Sequence, residues 1–600
     1  MIAFRVSAAA AAVFAAAGIG QAAERSDRAD SRTGYQVGQA MSGPVQLGPR
    51  RPATGAPPPP ASMPEAAPVA PTSPSGVFGP VEVQALQAVD PDSVGIIDDQ
   101  DGGLGADMWA GADRAFVGRL LALLPRRVGS PTMRDLMKRL LLTRAMAPER
   151  APDAPSLLSL RVDALFALGE LESAAALLAG APIGPANERR LRFEVESRFF
   201  RQDTAGACDQ VRGAAQDYKD DYWQQATAYC LALAGRTAEA ALLSDILAER
   251  AASLHPAFFA AMDRLAGAPP PTVKSLSQPS ALYLSMMRTA SLALPADVLA
   301  NASPAVENAV ALSPNAPLEL RLAAAEQAAA HRVLPGSVLH EIYGAMRFDE
   351  NALNSPVSRA EADWGPGGRA LLMRAAAGQP VPPARAEALQ QAFRLARAKG
   401  GYQVVAVASQ PLLNGIEPSA DLAWFAGEAA RALVTAGDFA AARTWIELGL
   451  GEARGGDLWP LALLGGVGGG EVTAEAFQAW RTAREKAGAA DPKADAGVLF
   501  GLLDALGIAV PTALWTPVLE ASRPEDALVP GTGLRVALGR AAAVERRGET
   551  VALALVALGN AGPAPANLLA VDLAVRALGK VGLAAEARRL ALETAVAAGL

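Results

Sequence analysis

Histidine is almost missing from this 600-residue chain: His255, His331 and His340 are the only three. They are scattered, and no His-Glu-x-x-His pattern exists, so the usual histidine-based zinc chemistry has no ligands. Cysteine stops at two, Cys208 and Cys230, without the C-x-x-C spacing of a metal or redox motif. No metal or other cofactor is expected. Aromatic residues make up only 5% of the chain, and β-branched strand formers are sparse, which argues against sheets. Positive charge is also short: 54 basic against 61 acidic residues give a net charge of −7, without the global attraction a nucleic-acid binder needs. Long hydrophobic runs are absent as well. Beyond residue 19, Arg, Glu or Pro interrupts every apolar stretch before the ~20 residues that a membrane span requires.

What the chain does have is alanine and leucine, the leading helix formers, within a composition that is 51% hydrophobic. An all-α fold is expected. A short pattern recurs along it: Leu, three residues, Gly, four residues, Ala. It reads Leu165…Gly169…Ala174, Leu231…Gly235…Ala240, Leu433…Gly437…Ala442 and Leu578…Gly582…Ala587, with a degenerate copy at Val544…Gly548…Leu553. The Gly marks a tight turn between two helices, and the Ala lets the second helix approach the first. Hairpins of this kind cannot bury their apolar faces alone, so an α-solenoid of stacked antiparallel helical hairpins is predicted. At ~35 residues per helical pair, residues 105–600 have room for about fourteen pairs.

The stretches Ala164-Leu165-Phe166-Ala167-Leu168-Gly169, Leu231-Ala232-Leu233-Ala234-Gly235 and Arg431-Ala432-Leu433-Val434-Thr435-Ala436-Gly437 resemble the tetratricopeptide and Sel1-like superfamily of helical repeats. They look like the end of that superfamily's first helix and the start of its second. The resemblance implies a binding scaffold for proteins or peptides.

The N-terminus reads as an export signal over residues 1–22: Arg5, an apolar run from Val6 to Ile19, then the small-x-small site Gly20-Gln21-Ala22. A periplasmic location follows, with an uncleaved anchor through residues 6–19 as the alternative. Residues 23–104 read as a disordered Pro/Gly-rich segment around Pro57-Pro58-Pro59-Pro60, passing into an acidic linker. A helical region over 105–350, a connecting loop over 351–368 and a second helical region over 369–600 complete the expected organisation.

Candidate sites are few. Cys208 and Cys230 lie on two expected helices, eleven residues either side of a turn near Lys219, so a disulfide between them is geometrically reasonable. The run Asp98-Asp99-Gln100-Asp101-Gly102 fails as a calcium loop, because Ile97 and Met108 would fall on ligating positions. The glycines at 465–470 lack the preceding strand and the Gly-Lys-Ser/Thr of a phosphate loop. Glu196-Ser197-Arg198-Phe199, with Ala205-Gly206-Ala207 downstream, resembles the Glu-Ser motif of lytic transglycosylases, in which Glu196 would be the general acid. Flanking arginines are expected to favour its charged form, giving a salt-bridged helix surface instead. Two basic stripes are candidate partner-binding surfaces: Arg126, Arg127, Arg134, Lys138 and Arg139, and then Arg189, Arg190 and Arg192. Arg134 and Lys138 stand four apart with like charge, so something is expected to compensate them. The expectation is a non-enzymatic, exported scaffold for protein partners in the bacterial cell envelope, acidic surfaces among them. The alternatives are a peptidoglycan hydrolase of transglycosylase type and a polysaccharide-binding envelope factor.

Overall fold

Capping residues set where the helices begin. In a computed structural model of the chain, the Ser130 hydroxyl accepts from the Met133 N–H at 3.1 Å and starts the helix Pro131–Leu142. Asp113 does the same for Arg114–Leu123, and Asp220 for Asp221–Leu233. The structure describes residues 90–149, 155–182, 188–250, 254–451, 455–468, 470–519 and 527–600. The expected export signal and Pro-rich segment lie outside them. Among the described residues there are 28 α-helices and no strand, and the only extended pairing is an isolated bridge between Ile97 and Thr143. No helix among them is long and apolar enough to cross a membrane.

Four copies of the recurring pattern have the backbone their glycines require. Gly169, Gly235, Gly437 and Gly582 adopt φ of +77°, +76°, +93° and +80°, the left-handed region in which a side chain is strained. Each stands between two consecutive helices, as Gly437 does between Ala426–Ala436 and Phe439–Leu450. The small residues Ala174, Ala240, Ala442 and Ala587 are buried, 1 to 2% exposed. The degenerate copy behaves otherwise. There the left-handed residue is Glu545, at φ +56°, and Gly548 lies in the first turn of Arg547–Leu558. Gly548 is small for another reason: a Cβ there would stand 2.8 Å from the Met108 carbonyl oxygen and 3.0 Å from the Trp109 ring.

That contact belongs to a seam joining the two ends of the described chain. Pro131–Leu142 packs against its neighbour Leu157–Ala167 and also against Arg547–Leu558 and Ala584–Ala597. The Gly548 N–H donates to Met108 O at 3.0 Å, and the Arg126 and Arg127 N–H groups donate to Asn560 Oδ1 at 3.2 and 3.3 Å. The Thr132 N–H donates to Glu593 at 3.0 Å, across 461 residues of sequence.

Two expected boundaries are corrected. Residues 351–368 are not a connecting loop: they carry the helices Glu350–Asn354 and Pro356–Ala362 and the start of Pro366–Ala377. Arg369 reaches back across them to hold Glu326 with two hydrogen bonds, 2.8 and 2.6 Å, and the Tyr343 hydroxyl adds a third at 2.6 Å. The described residues all fall within one compact unit, Leu86–Leu600. The acidic lead-in is a solvated linker only in part: residues 98–102 are exposed, whereas Asp92, Val94 and Gly95 are buried. Asp92 is buried, paired with Arg114, and accepts from the Ser156 hydroxyl at 2.8 Å and the Leu158 N–H at 2.7 Å. Arg161 fixes the same segment by donating to Val94 O at 2.6 Å and Leu141 O at 2.7 Å.

Cys208 on Thr204–Asp217 and Cys230 on Asp221–Leu233 are joined by a disulfide, their Cα atoms 5.4 Å apart. It closes a loop with a sequence separation of 22. In the chain-entropy description such a closure contributes about 3 kcal/mol. Mild reductant, or Cys208→Ala with Cys230→Ala, is therefore expected to lower stability by about that amount. Urea unfolding that is unchanged by reduction would contradict it.

Candidate functional site

Several helix C-termini converge on the loop that precedes Pro131–Leu142, and between them lies a cavity of about 1090 Å3. Its walls come from residues 127–131, 330–332, 400–403 and 559–564, and from Glu428, Arg431, Thr435, Asp457, Arg484 and the end of Ala584–Ala597. The helices Leu318–Ala330, Pro382–Lys399 and Ala426–Ala436 all end here. Helix C-termini are partially negative, and five guanidiniums line the space: Arg127, Arg332, Arg397, Arg431 and Arg484.

Arg332 organises the floor. It sits at φ +62° and donates to Gly129 O at 2.9 Å, to Ala436 O at 3.0 Å and to Thr435 O. Burial pushes its pKa down to about 10, opposed by Glu593 and reinforced by neighbouring Arg134, so it remains charged at neutral pH. Gln403 bridges the same loop, donating to Gly129 O at 3.2 Å and Ala330 O at 3.0 Å. Arg397 is held by Glu428 at 2.9 and 2.6 Å, with its guanidinium 4.6 Å from the centre of the Tyr402 ring. Arg431 binds Asp457 at 2.8 Å and Leu600 O at 2.9 Å, and Arg484 binds Asp495 at 2.6 Å and Gly599 O at 2.8 Å.

Glu593 is the buried acid of the wall, and its carboxylate accepts from the Thr132 hydroxyl and N–H at the start of Pro131–Leu142. Burial pushes its pKa above the ordinary 4.5, against the hydrogen bonds of Ser130 and Thr132 and the field of Arg332. A raised folded-state pKa means that the stabilising contribution of the protonated form is complete below pH 4.5. It is lost as pH rises through the raised value. Wild type is therefore expected to lose stability relative to Glu593→Gln as pH increases from 4.5, read from urea midpoints across a pH series. Parallel curves would remove Glu593 as the source.

His331 points Nδ1 at the buried Glu307 carboxylate, 2.7 Å away. His255 caps Pro256–Leu265, and His340 meets Ala408 O. No cluster of three metal-capable side chains exists among the described residues.

Within the first basic stripe, Arg134 and Arg139 belong to the seam rather than to a partner surface. Arg134 is buried, bonded to Glu170 at 2.7 and 3.1 Å, to His331 O at 2.9 Å and to Leu168 O at 3.2 Å. Lys138 reaches the other oxygen of Glu170 at 3.4 Å. One carboxylate of the same chain thus compensates the like-charged pair. Arg139 turns to Glu586 and Gly102 O, and Arg127 donates to Ala302 O at 2.7 Å. Arg126 and Arg127 keep exposed side chains without an ion pair among the described residues. On Glu188–Phe200, Arg189 pairs with Asp163 yet remains largely exposed, and Arg190 binds Glu194 at 3.0 Å and Leu178 O at 3.1 Å. Arg192 is also exposed, its guanidinium 4.2 Å above the Tyr222 ring.

Glu196 is not a salt-bridged surface residue. Its Oε2 accepts from the Ala281 N–H at 2.8 Å, where Ala281–Thr289 begins. Burial pushes its pKa up, against the pull of Ala281, Tyr222 and Arg192, which reverses the expected direction. Arg198 is turned away to Asp203. Glu196 does not line the cavity.

Of the cavity residues, Arg332 had a usable sequence signal: a basic residue two positions after an Ala-rich helix and shortly before Pro335. Glu593 had none, because a glutamate inside an alanine-rich helix reads as solvent-facing. Comparison with known proteins returned no match: no family model, no curated protein and no solved structure resembles this chain.

Proposed function

We propose that the chain is a non-catalytic scaffold that holds protein partners in the bacterial cell envelope, its hairpins stacked antiparallel as a solenoid of tetratricopeptide or Sel1-like type. The observation that carries this reading is the repeated hairpin turn, four glycines at φ between +76° and +93°, each followed by a buried alanine. Arrays of such units add contact surface without needing a new core for each function. Export is supported by the pattern of residues 5–22 and by a disulfide suited to an oxidising compartment. Arg126, Arg127, Arg189 and Arg192 are the members of the two basic stripes whose exposed side chains a partner would meet.

The raised carboxyl of Glu196 favours the alternative, a transglycosylase-type hydrolase. Its engagement with the Ala281 N–H and its position away from the cavity weigh against it. Affinity capture of the tagged protein from its native envelope tests the scaffold. A reproducible partner set, with the bait beginning near Ala23, is expected. Muropeptide release by the purified protein, abolished by Glu196→Gln, would replace the scaffold with the enzyme.

A further inference from the structure

The charges around this cavity do not balance. Three of its five guanidiniums have carboxylates: Arg397 has Glu428, Arg431 has Asp457 and Arg484 has Asp495. Arg127 and Arg332 have none within ion-pair distance among the described residues, and their side chains donate only to backbone carbonyls. Glu593 is turned to Thr132 at the helix start. A guanidinium offers five N–H donors, of which Arg332 uses three here, and its planar fork matches a carboxylate.

The cavity is far larger than one inorganic anion needs, about 1090 Å3. Gly400, Gly401, Gly559 and Gly562 line it, and at a glycine the lining atoms are main chain. Such walls offer N–H and C=O groups to an extended backbone. A sugar ring would instead look for an open aromatic face. Tyr402 is the one aromatic among the lining residues, and the Arg397 guanidinium covers it.

We propose that this cavity receives an acidic peptide segment of a partner protein, with its carboxylates met by Arg127 and Arg332. The proposal rests on the scaffold reading above and names the chemistry of its partner. The test uses the full exported chain and a fluorescein-labelled hexaglutamate peptide, with hexaglutamine as control, followed by anisotropy. Hexaglutamate is expected to bind at least about ten-fold more tightly than hexaglutamine, and less tightly as salt rises. Arg127→Gln is expected to weaken it about ten-fold or more. So is Ala597→Trp, which fills the cavity from an exposed position on its wall. Thermal unfolding of Ala597→Trp, which keeps the Arg127 bond to Ala302 O, should be unchanged.

Equal affinity for the two peptides would overturn the proposal, as would hexaglutamate binding that survives Ala597→Trp. Tighter binding of an oligogalacturonate in the same cavity would overturn the peptide assignment in favour of an anionic glycan. Captured envelope partners that bind wild type and Ala597→Trp alike, with no hexaglutamate binding, would sink this proposal and leave the scaffold standing. Loss of both would remove both.

Discussion

Glu170→Ala is expected to cost about 3–5 kcal/mol of unfolding free energy, the range for breaking a buried ion pair by removing one partner. Arg134 and Glu170 have side chains only 9% and 16% exposed. Without the carboxylate, Arg134 and Lys138 face each other four residues apart with nothing of opposite charge on either oxygen's site. The two backbone carbonyls that also hold Arg134 keep it in place, so it cannot swing into water cheaply. An internal control is available in Arg443 and Glu447, whose side chains are 55% and 52% exposed. Glu447→Ala is expected to change stability by no more than about 0.5 kcal/mol. Replacing Arg134 and Glu170 together with methionine should recover most of the loss, since it is the unpaired charge that is costly. Urea titrations of the four proteins decide it. A Glu170→Ala effect as small as that of Glu447→Ala would show that the seam is not held electrostatically.

Gly437→Ala is expected to destabilise by about 3 kcal/mol, combining left-handed strain with overpacking. A Cβ there meets Pro131 Cβ at 2.8 Å, at the start of the helix around which the chain closes. Gly235→Ala, at nearly the same place in the same pattern, should cost only about 1 kcal/mol. Its φ is +76°, but nothing lies within 4 Å of the added Cβ. Equal losses would mean that backbone strain is the whole effect and that the approach of Pro131 is loose. A larger loss at Gly235 would contradict the packing argument outright.

The glycine pair shows how far the sequence could be read. Both positions carry the same local signal, and both turns form, because a helix end that must reverse within two residues needs a residue free to adopt positive φ. Which of them is also packed against a distant helix leaves no local trace. The copy at Val544 to Leu553 fails for the same reason, since Gly548 answers to Met108 and Trp109 rather than to its own turn. Ser130-Pro131, by contrast, signalled its helix start correctly, because capping is a matter of three or four consecutive residues.

The candidate site was much less legible. The basic stripe on Pro131–Leu142 announced that something must compensate it, and the identity of that something was invisible. Glu170 stands 36 residues away and Glu586 stands 447 away, and neither differs locally from a surface glutamate. Glu196 misled for a related reason. Neighbouring arginines lower a carboxyl pKa only when they face it, and here burial against the start of Ala281–Thr289 outweighs them.

Composition, periodicity and the Leu-Gly-Ala pattern by themselves determined that this protein is built from helices, where many of those helices begin and turn, and which faces pack on their sequence neighbours. These are decisions of short-range backbone geometry and apolar spacing, and they are complete within about one helical hairpin. The tertiary structure alone decided that the last helices return to the first, that Asp92 and Arg134 are interior, and that helix ends enclose a cavity with two guanidiniums lacking carboxylates. Each of those depends on pairs of residues tens to hundreds of positions apart, whose meeting no single stretch of sequence sets.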